Sequence, residues 1–373
     1  MKPVVMTLGD ICTKGSSNLA QKDLDGNSGE YEIYGASGLI KKVNFFHQEK
    51  PYIAVVKDGA GVGRTMLLPA ETSVIGTMQY IIPNEDIDIE YLYYAITYMD
   101  LSRYYMGAAI PHIYFKDYCK EKILIPDIDI QKAIAHKFRI IDGLITARQE
   151  QLAKLGELIA SRFIEMFGEP IANPMGWKVK PLKTLSELIT NGNTPKGGSE
   201  NYVESGVIFL RSQNVWRNKI ELDDVAYIDA ATHQSMKKSS LHFKDILITK
   251  TGRINTENSS LGRAALFLGK DDSANINGHV YLVRLNGSIL PEFVVTILTG
   301  EAYRKYIRKV CVGGIDKRQI NVDQVEEFPI ITPPMELQYE FVAFKKLIDK
   351  SKYLATLCIK LLGNERMMFC DKL

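Results

Sequence analysis

The sequence predicts an α+β chain: two mixed α/β heads separated by two long antiparallel helices that pair as a coiled coil, the whole an internal repeat of approximate twofold symmetry. Three observations predict it. Apolar residues fall on heptad seams in two separate stretches, the chain aligns with itself at an offset of 207 residues, and short apolar runs broken by Gly, Asn and Asp precede each seam.

The first stretch runs from about Gln131 to Met166 through Ile134, Phe138, Ile141, Ile145, Leu152, Leu155, Ile159 and Met166, interrupted by Arg148 and Arg162. Fours and threes alternate, as a helix with one apolar seam requires, and Gly168 and Pro170 supply a stop. A rod of that length needs a partner along its seam. The second stretch provides one, through Leu337, Phe341, Phe344, Ile348, Ala355, Cys358 and Leu362, with Ser351 as the exception. Leu347, Leu354 and Leu361, each seven apart, are expected to widen that stripe. The two Arg residues on the first seam either pair with acids of the other helix or of a partner subunit or, the preferred reading, extend to the edge of the seam.

The lead-ins match as well. Ile123-Leu124-Ile125-Pro126 stands before Gln131 as Ile330-Ile331-Thr332-Pro333 stands before Gln338, and the same offset aligns Ile113 with Ile320 and Asp142 with Asp349. Upstream, residues 52–68 read as strand, glycine turn and strand, and 245–268 repeat that plan with a longer turn. Short helices follow at Tyr91–Tyr98 and Pro291–Thr299, then glycine-bearing loops at Gly107 and Gly313-Gly314. The predicted segments are a first head (1–125), a central helix (126–173), a second head (174–332) and a C-terminal helix (333–373).

The chain has 373 residues, 46% of them hydrophobic and 24% charged, a globular composition sufficient for two or three domains. The five cysteines are odd in number and widely spaced, without a C-x-x-C pair, which argues against a disulfide framework or a zinc knuckle. With no long apolar span and no leader-like start, the cytoplasm is the expected location and no membrane partner is expected. The net charge of +2 hides an asymmetry: the four segments carry −3, −1, +4 and +2.

Catalytic signatures are absent. Gly59-Ala60-Gly61-Val62-Gly63-Arg64 departs from the dinucleotide fingerprint at its last position, and Gly192–Ser199 lacks the lysine of a phosphate loop. Neither H-E-x-x-H nor G-x-S-x-G occurs. No metal site is expected. Repeated helices carrying unlike heads suit a reader of two different targets at a set distance.

Several segments carry a family resemblance: Ile141-Asp142-Gly143-Leu144-Ile145-Thr146-Ala147-Arg148-Gln149-Glu150-Gln151-Leu152, Pro333-Pro334-Met335-Glu336-Leu337-Gln338, and His242–Gly252 through Gly262-Arg263. With Leu185–Pro195 and Gly313–Asn321, they resemble the specificity subunit of type I restriction-modification systems over essentially the whole chain. The resemblance implies that the chain is not itself an enzyme and that each head is a target-recognition domain reading half of a split double-stranded DNA site. It also implies that the helices set the gap and dock methyltransferase subunits, expected to number two, which hold the restriction-translocation subunits. S-adenosylmethionine, ATP and Mg are then expected on those partners and no cofactor on this chain. The first head keeps only a trace of the opening motif, Leu8-Gly9-Asp10-Ile11.

The residues expected to touch DNA fall in four groups. Arg304, Lys305, Arg308, Lys309, Lys317 and Arg318 put six cations within fifteen positions, with Gln319 beside them, a pattern suited to phosphate contact. Arg211, Gln213 and Asn214 are side-chain types that read base edges. Lys250, Arg253 and Arg263 flank the glycine turn of the second head, and Lys57 and Arg64 that of the first. A competing reading is a non-enzymatic scaffold whose heads bind proteins or glycans, in which these charges serve solubility.

Overall fold

The computed structural model describes residues 3–107, 111–195, 197–256 and 258–370. Part of the loop Gly107–Ile113, Lys196 of the Gly192–Ser199 run, and the side chain of Cys370 lie outside the described residues. The chain divides into two compact units, Met1–Leu152 with Leu354–Leu373, and Ala153–Tyr353. This division differs from the segments drawn on the sequence because each long helix gives one part of its length to each unit.

In the first unit, Val4–Thr7 pairs antiparallel with Lys122–Ile125 and ties the start of the head to its end. A four-stranded antiparallel sheet follows in the order Cys12–Ser16, Met78–Pro83, Tyr52–Val56, Thr65–Leu68. Its inner strand Tyr-Ile-Ala-Val-Val is buried throughout, as an aromatic and β-branched run covered on both faces should be. A second sheet has the order Gly38–Val43, Tyr31–Gly35, Ser73–Val74, the last pair being parallel. The helix Ile89–Tyr98 is capped by Asp88, which accepts from Tyr91 N at 2.9 Å, and it buries Tyr91, Leu92 and Ile96 against the sheet.

The second unit repeats this plan. Val179–Pro181 pairs with Pro329–Ile331, and the four-stranded sheet runs Ser186–Asn191, Val280–Leu285, Ile246–Thr249, Ala264–Leu266. The three-stranded sheet, Ala226–Ile228, Val207–Leu210, Ala274–Ile276, again ends in a parallel pair. The expected helix Pro291–Thr299 forms with its proline in the first turn, where the missing N–H costs nothing. Equivalent hydrogen bonds recur: Ile113 N to Lys57 O (2.9 Å) matches Ile320 N to Lys250 O (3.0 Å), and Val56 N to Arg64 O (2.8 Å) matches Thr249 N to Arg263 O (2.9 Å). Lys57 therefore corresponds to Lys250, and Arg64 to Arg263.

The long helices span Ile128–Phe167 and Met335–Cys370, of 40 and 36 residues. A buried glutamine locks the start of each to its own head. Gln131 accepts from Asp88 N (2.8 Å) and donates to Pro126 O (2.9 Å); Gln338 accepts from Leu290 N (3.0 Å) and donates to Pro333 O (2.8 Å). Both backbone N–H groups open a head helix and would otherwise lack a partner.

In the first unit the early part of the central helix meets the late part of the C-terminal helix, where Arg366 Nη1 lies 2.9 Å from Asp142 Oδ1. In the second, the late part of the central helix meets the early part of the other. There Phe163 packs edge-on to Phe341 at 5.4 Å and Phe167 sits against Phe293 at 4.9 Å. Antiparallel helices require this order. Arg162 is held by Glu340 of the other helix at 2.8 Å, the ion pair that the sequence offered beside the preferred reading of a side chain reaching the edge. The expected seam residues of the central helix are all buried or half-buried.

One expectation is corrected. Leu347, Leu354 and Leu361 do not widen the buried stripe; they are 69%, 56% and 56% exposed. Each precedes a seam residue by one position, which turns it about 100° around a helix of 3.6 residues per turn and off the contact line.

Candidate nucleic-acid interface

On the shared scaffold the second unit carries additions that gather its polar and basic residues. The first is the tight hairpin Val215–Trp216 with Lys219–Ile220. The second is a three-stranded ribbon in the order Thr251–Arg253, Lys317–Gln319, Val312–Gly313. Its register sets Arg253 opposite Lys317, Gly252 opposite Arg318 and Thr251 opposite Gln319. Residues more than sixty positions apart in sequence thereby share one ribbon. Gly252 is needed there, because a Cβ would fall 2.3 Å from Leu261 N.

The third addition is the helix Glu301–Val310. It buries Tyr303 and Ile307 and carries Arg304, Lys305, Arg308 and Lys309. Gly262, at φ +65°, lets the turn after the inner strand pass against Ile307, whose side chain would lie 2.9 Å from an added Cβ.

These additions sort the expected site residues. Arg253 is exposed and 3.2 Å from Asp316, Arg318 Nε donates to Gly314 O (3.2 Å), and Gln319 donates to Asn321 (3.2 Å). Lys305 and Lys317 are exposed and Arg308 half-exposed. Lys250 is half-buried, its ammonium 5.8 Å from the Tyr281 ring.

The base-edge triplet is used differently from expectation. Asn214 is buried, accepting from Arg211 N and donating to Glu221 O and Asp224 O, so it holds the loop rather than facing outward. Arg211 and Gln213 both converge on Asp224, at 3.1 and 2.7 Å.

Arg263 is only 8% exposed. Its guanidinium carbon lies 3.8 Å from the centroid of the Trp216 ring, and its Nε and Nη2 donate to Ser259 O and Asn258 O. Burial, then the charges of Arg217 and Arg304, push this guanidinium below its ordinary pKa. Arg304 is pushed the same way by burial and Arg217, with Arg308 adding to the effect against the pull of Glu301. A cluster of arginines therefore surrounds the hairpin tip. Trp216 and Arg217 follow the base-edge triplet closely but were not singled out with it; the missing signal was the contact of Trp216 with Arg263, some fifty residues on.

The first unit has the same turn, with the single bridges Asp58–His112 and Met106–His112 among its described residues where the second unit has the ribbon. Arg64 is exposed and donates to Ala36 O at 2.9 Å; half-buried Lys57 precedes Asp58, which pairs with His112. Arg103 is paired with Glu121 at 2.8 Å. No helix among the described residues is long and apolar enough to cross a membrane.

Fold and sites together define a chain of two homologous α+β heads, each leading into a long helix, with an arginine-rich surface on one head. Residues 2–156 match the family described as type I restriction modification DNA specificity domain. The chain is 25% identical over 185 residues to the specificity subunit designated MjaX of Methanocaldococcus jannaschii, covering 49% of this chain and 41% of that protein. It is 24% identical over 309 residues to the type I restriction enzyme MjaIX specificity subunit of the same organism, covering 74% and 67%. The crystal structure of the type I restriction-modification S subunit from M. genitalium shares the fold at a TM-score of 0.61 and 14% identity, covering 100% of this chain and 96% of that one. The chain thus spans between two fifths and two thirds of the length of the curated relatives it matches. Similarity to the DNA specificity domain family thus covers residues 2–156, and likeness of fold to the S subunit covers the whole chain.

Proposed function

We propose that the chain chooses the DNA sequence for a type I complex, each head reading one half of a split duplex site. One observation carries this reading: a single scaffold occurs twice, each copy locked to its own long helix by an equivalent glutamine, while the loops that project from the two copies differ. Loops on a rigid frame are where recognition is built. Phosphate contacts from Lys305, Arg308, Lys317, Arg318 and Arg253 would supply salt-sensitive affinity, and polar side chains such as Gln213 and Gln319 would supply base selectivity.

The two helices act as a coiled-coil spacer that fixes the gap between half-sites and docks two methyltransferase subunits, which in turn hold the restriction-translocation subunits. S-adenosylmethionine, ATP and Mg belong to those partners, the chain itself carries out no chemistry, and the complex works in the cytoplasm. To test this, duplex binding by the chain with its methyltransferase subunit is measured across several salt concentrations, and methylated adenines are mapped in cells that carry it. A bipartite methylated motif that changes when one head is exchanged is expected. Binding without sequence preference would overturn the reading.

A further inference from the structure

The ribbon of the second unit ends in the turn Gly314-Ile315-Asp316, between the strands Val312–Gly313 and Lys317–Gln319. Ile315 is 89% exposed, more than any other large apolar side chain among the described residues. A lone isoleucine in water is ordinary on a protein surface. Three observations set this one apart.

First, the backbone on either side of it is held. Arg318 Nε donates to Gly314 O at 3.2 Å, Ile254 N donates to Asp316 O at 3.1 Å, and the Asp316 carboxylate pairs with Arg253 at 3.2 Å. Gly313, at φ +129°, lets the strands close, since an added Cβ would fall 2.9 Å from Lys317 O. The turn presents Ile315 on a braced support instead of folding it onto the head. Second, cations stand beside it. Exposed Lys317 and half-exposed Arg318 follow on the same ribbon, and Asp316, the acid of the turn, is taken up by Arg253. Third, the other head exposes apolar side chains at the same place. Ile113 and Ile320 occupy equivalent positions, and the same offset sets Tyr105 against Val312. Tyr105 and Met106 are both more than half exposed, and Val312 is exposed as well. Two loops of unlike sequence therefore share an apolar tip.

An apolar tip beside cations matches a duplex groove, where apolar base surface lies between two rows of phosphates. A β-ribbon also has the width that a major groove admits. We infer that Ile315 is the apolar reading tip of the second head, packing on base surface in a groove of duplex DNA while Lys317 and Arg318 meet the phosphates beside it. That surface is a thymine methyl group or the face of an opened base step, and the same side chain would cover either. The assignment to DNA rests on the function proposed above.

Duplexes carrying the motif mapped by methylation, bound by the full chain with its methyltransferase subunit, test it. I315A, with its fold checked by circular dichroism, is expected to weaken binding of that duplex about tenfold and to leave binding of unrelated duplex unchanged. The slope of log K against log salt should hold, because an apolar contact releases no counterion. K317Q should instead lower the slope by about 0.9 and weaken all duplexes alike. Two further arms separate the base surfaces: uracil in place of thymine in the half-site of the second head, and end-to-end energy transfer across the duplex. If uracil weakens wild type and not I315A, the contact is a thymine methyl. A bend that I315A abolishes assigns an opened step. The base contact is overturned, with DNA reading left standing, if I315A binds as wild type does or loses affinity with neither arm responding. It is overturned equally if the loss comes only from weaker association with the methyltransferase subunit, measured without DNA. If wild type shows no sequence preference, DNA reading itself falls and Ile315 loses its assignment with it.

Discussion

The two heads share one frame and differ in what hangs from it. Both have the tying strand pair, the same order in the four-stranded sheet, a three-stranded sheet ending in a parallel pair, and a glutamine at the base of a long helix. At the corresponding turn they part. Arg64 stands in solvent with one bond to Ala36 O, whereas Arg263 is buried beneath Trp216 and beside a helix that supplies four more cations. The frame tolerates such change because its strands are fixed by hydrogen bonds and burial that the turn residues do not supply, so loops can diverge at little cost to the core. On the proposed reading, selectivity is altered one head at a time.

The largest test of that comparison acts on the cores. Both tryptophans, Trp177 and Trp216, lie in the second unit, so tryptophan emission reports that unit alone. F341A removes a fully buried ring that packs on Phe163 and Phe167 and should cost about 3–5 kcal/mol, seen as a lower denaturation midpoint in emission. F138A, which removes the ring stacked on Tyr94 in the first unit, should cost a similar amount in circular dichroism while leaving the emission midpoint in place. An equal shift of both signals by either variant would show the heads to be one cooperative body.

The glutamine locks come next. Q131L and Q338L each leave a helix-opening N–H without its acceptor, at about 1–3 kcal/mol, and the two losses should agree. Unequal losses would break the equivalence of the frames.

The charge comparison is finer. K305Q with R308Q should lower the salt slope of duplex binding by about 1.8 if each side chain meets a phosphate, and K57Q with R64Q should lower it less. A larger effect in the first head would place the main electrostatic contact there.

The smallest effect concerns Cys12. Burial, with a further push from the charge of Cys119, raises its thiol to about 12. The folded chain holds it protonated where the unfolded chain, near 8.5, begins to ionise. The stabilisation is thus complete below about pH 8.5 and is lost as pH climbs toward the folded value. Alkylation at pH 8 should spare Cys12 while the fold is intact and reach it on unfolding, as peptide mass mapping would report.

Much of this was legible in the chain. The 207-residue repeat, the seam from Ile134 to Met166, the strand–turn–strand runs and the helix Pro291–Thr299 are periodic or local patterns, and backbone hydrogen bonding turns such patterns into structure with little outside help. Leu347, Leu354 and Leu361 were misread because spacing gives a period and not a phase. Only the register between helices decides which of two adjacent apolar rows is covered.

The sequence by itself determined the frame: two α+β heads, each leading into a long helix, made by duplication. The tertiary structure alone decided how the polar residues are used. It buried Asn214 as a loop brace, turned Arg211 and Gln213 onto Asp224, set Arg253 across from Lys317, and stacked Arg263 on Trp216. A charged side chain takes its role from neighbours that the chain brings from far along its length, and no local pattern encodes them.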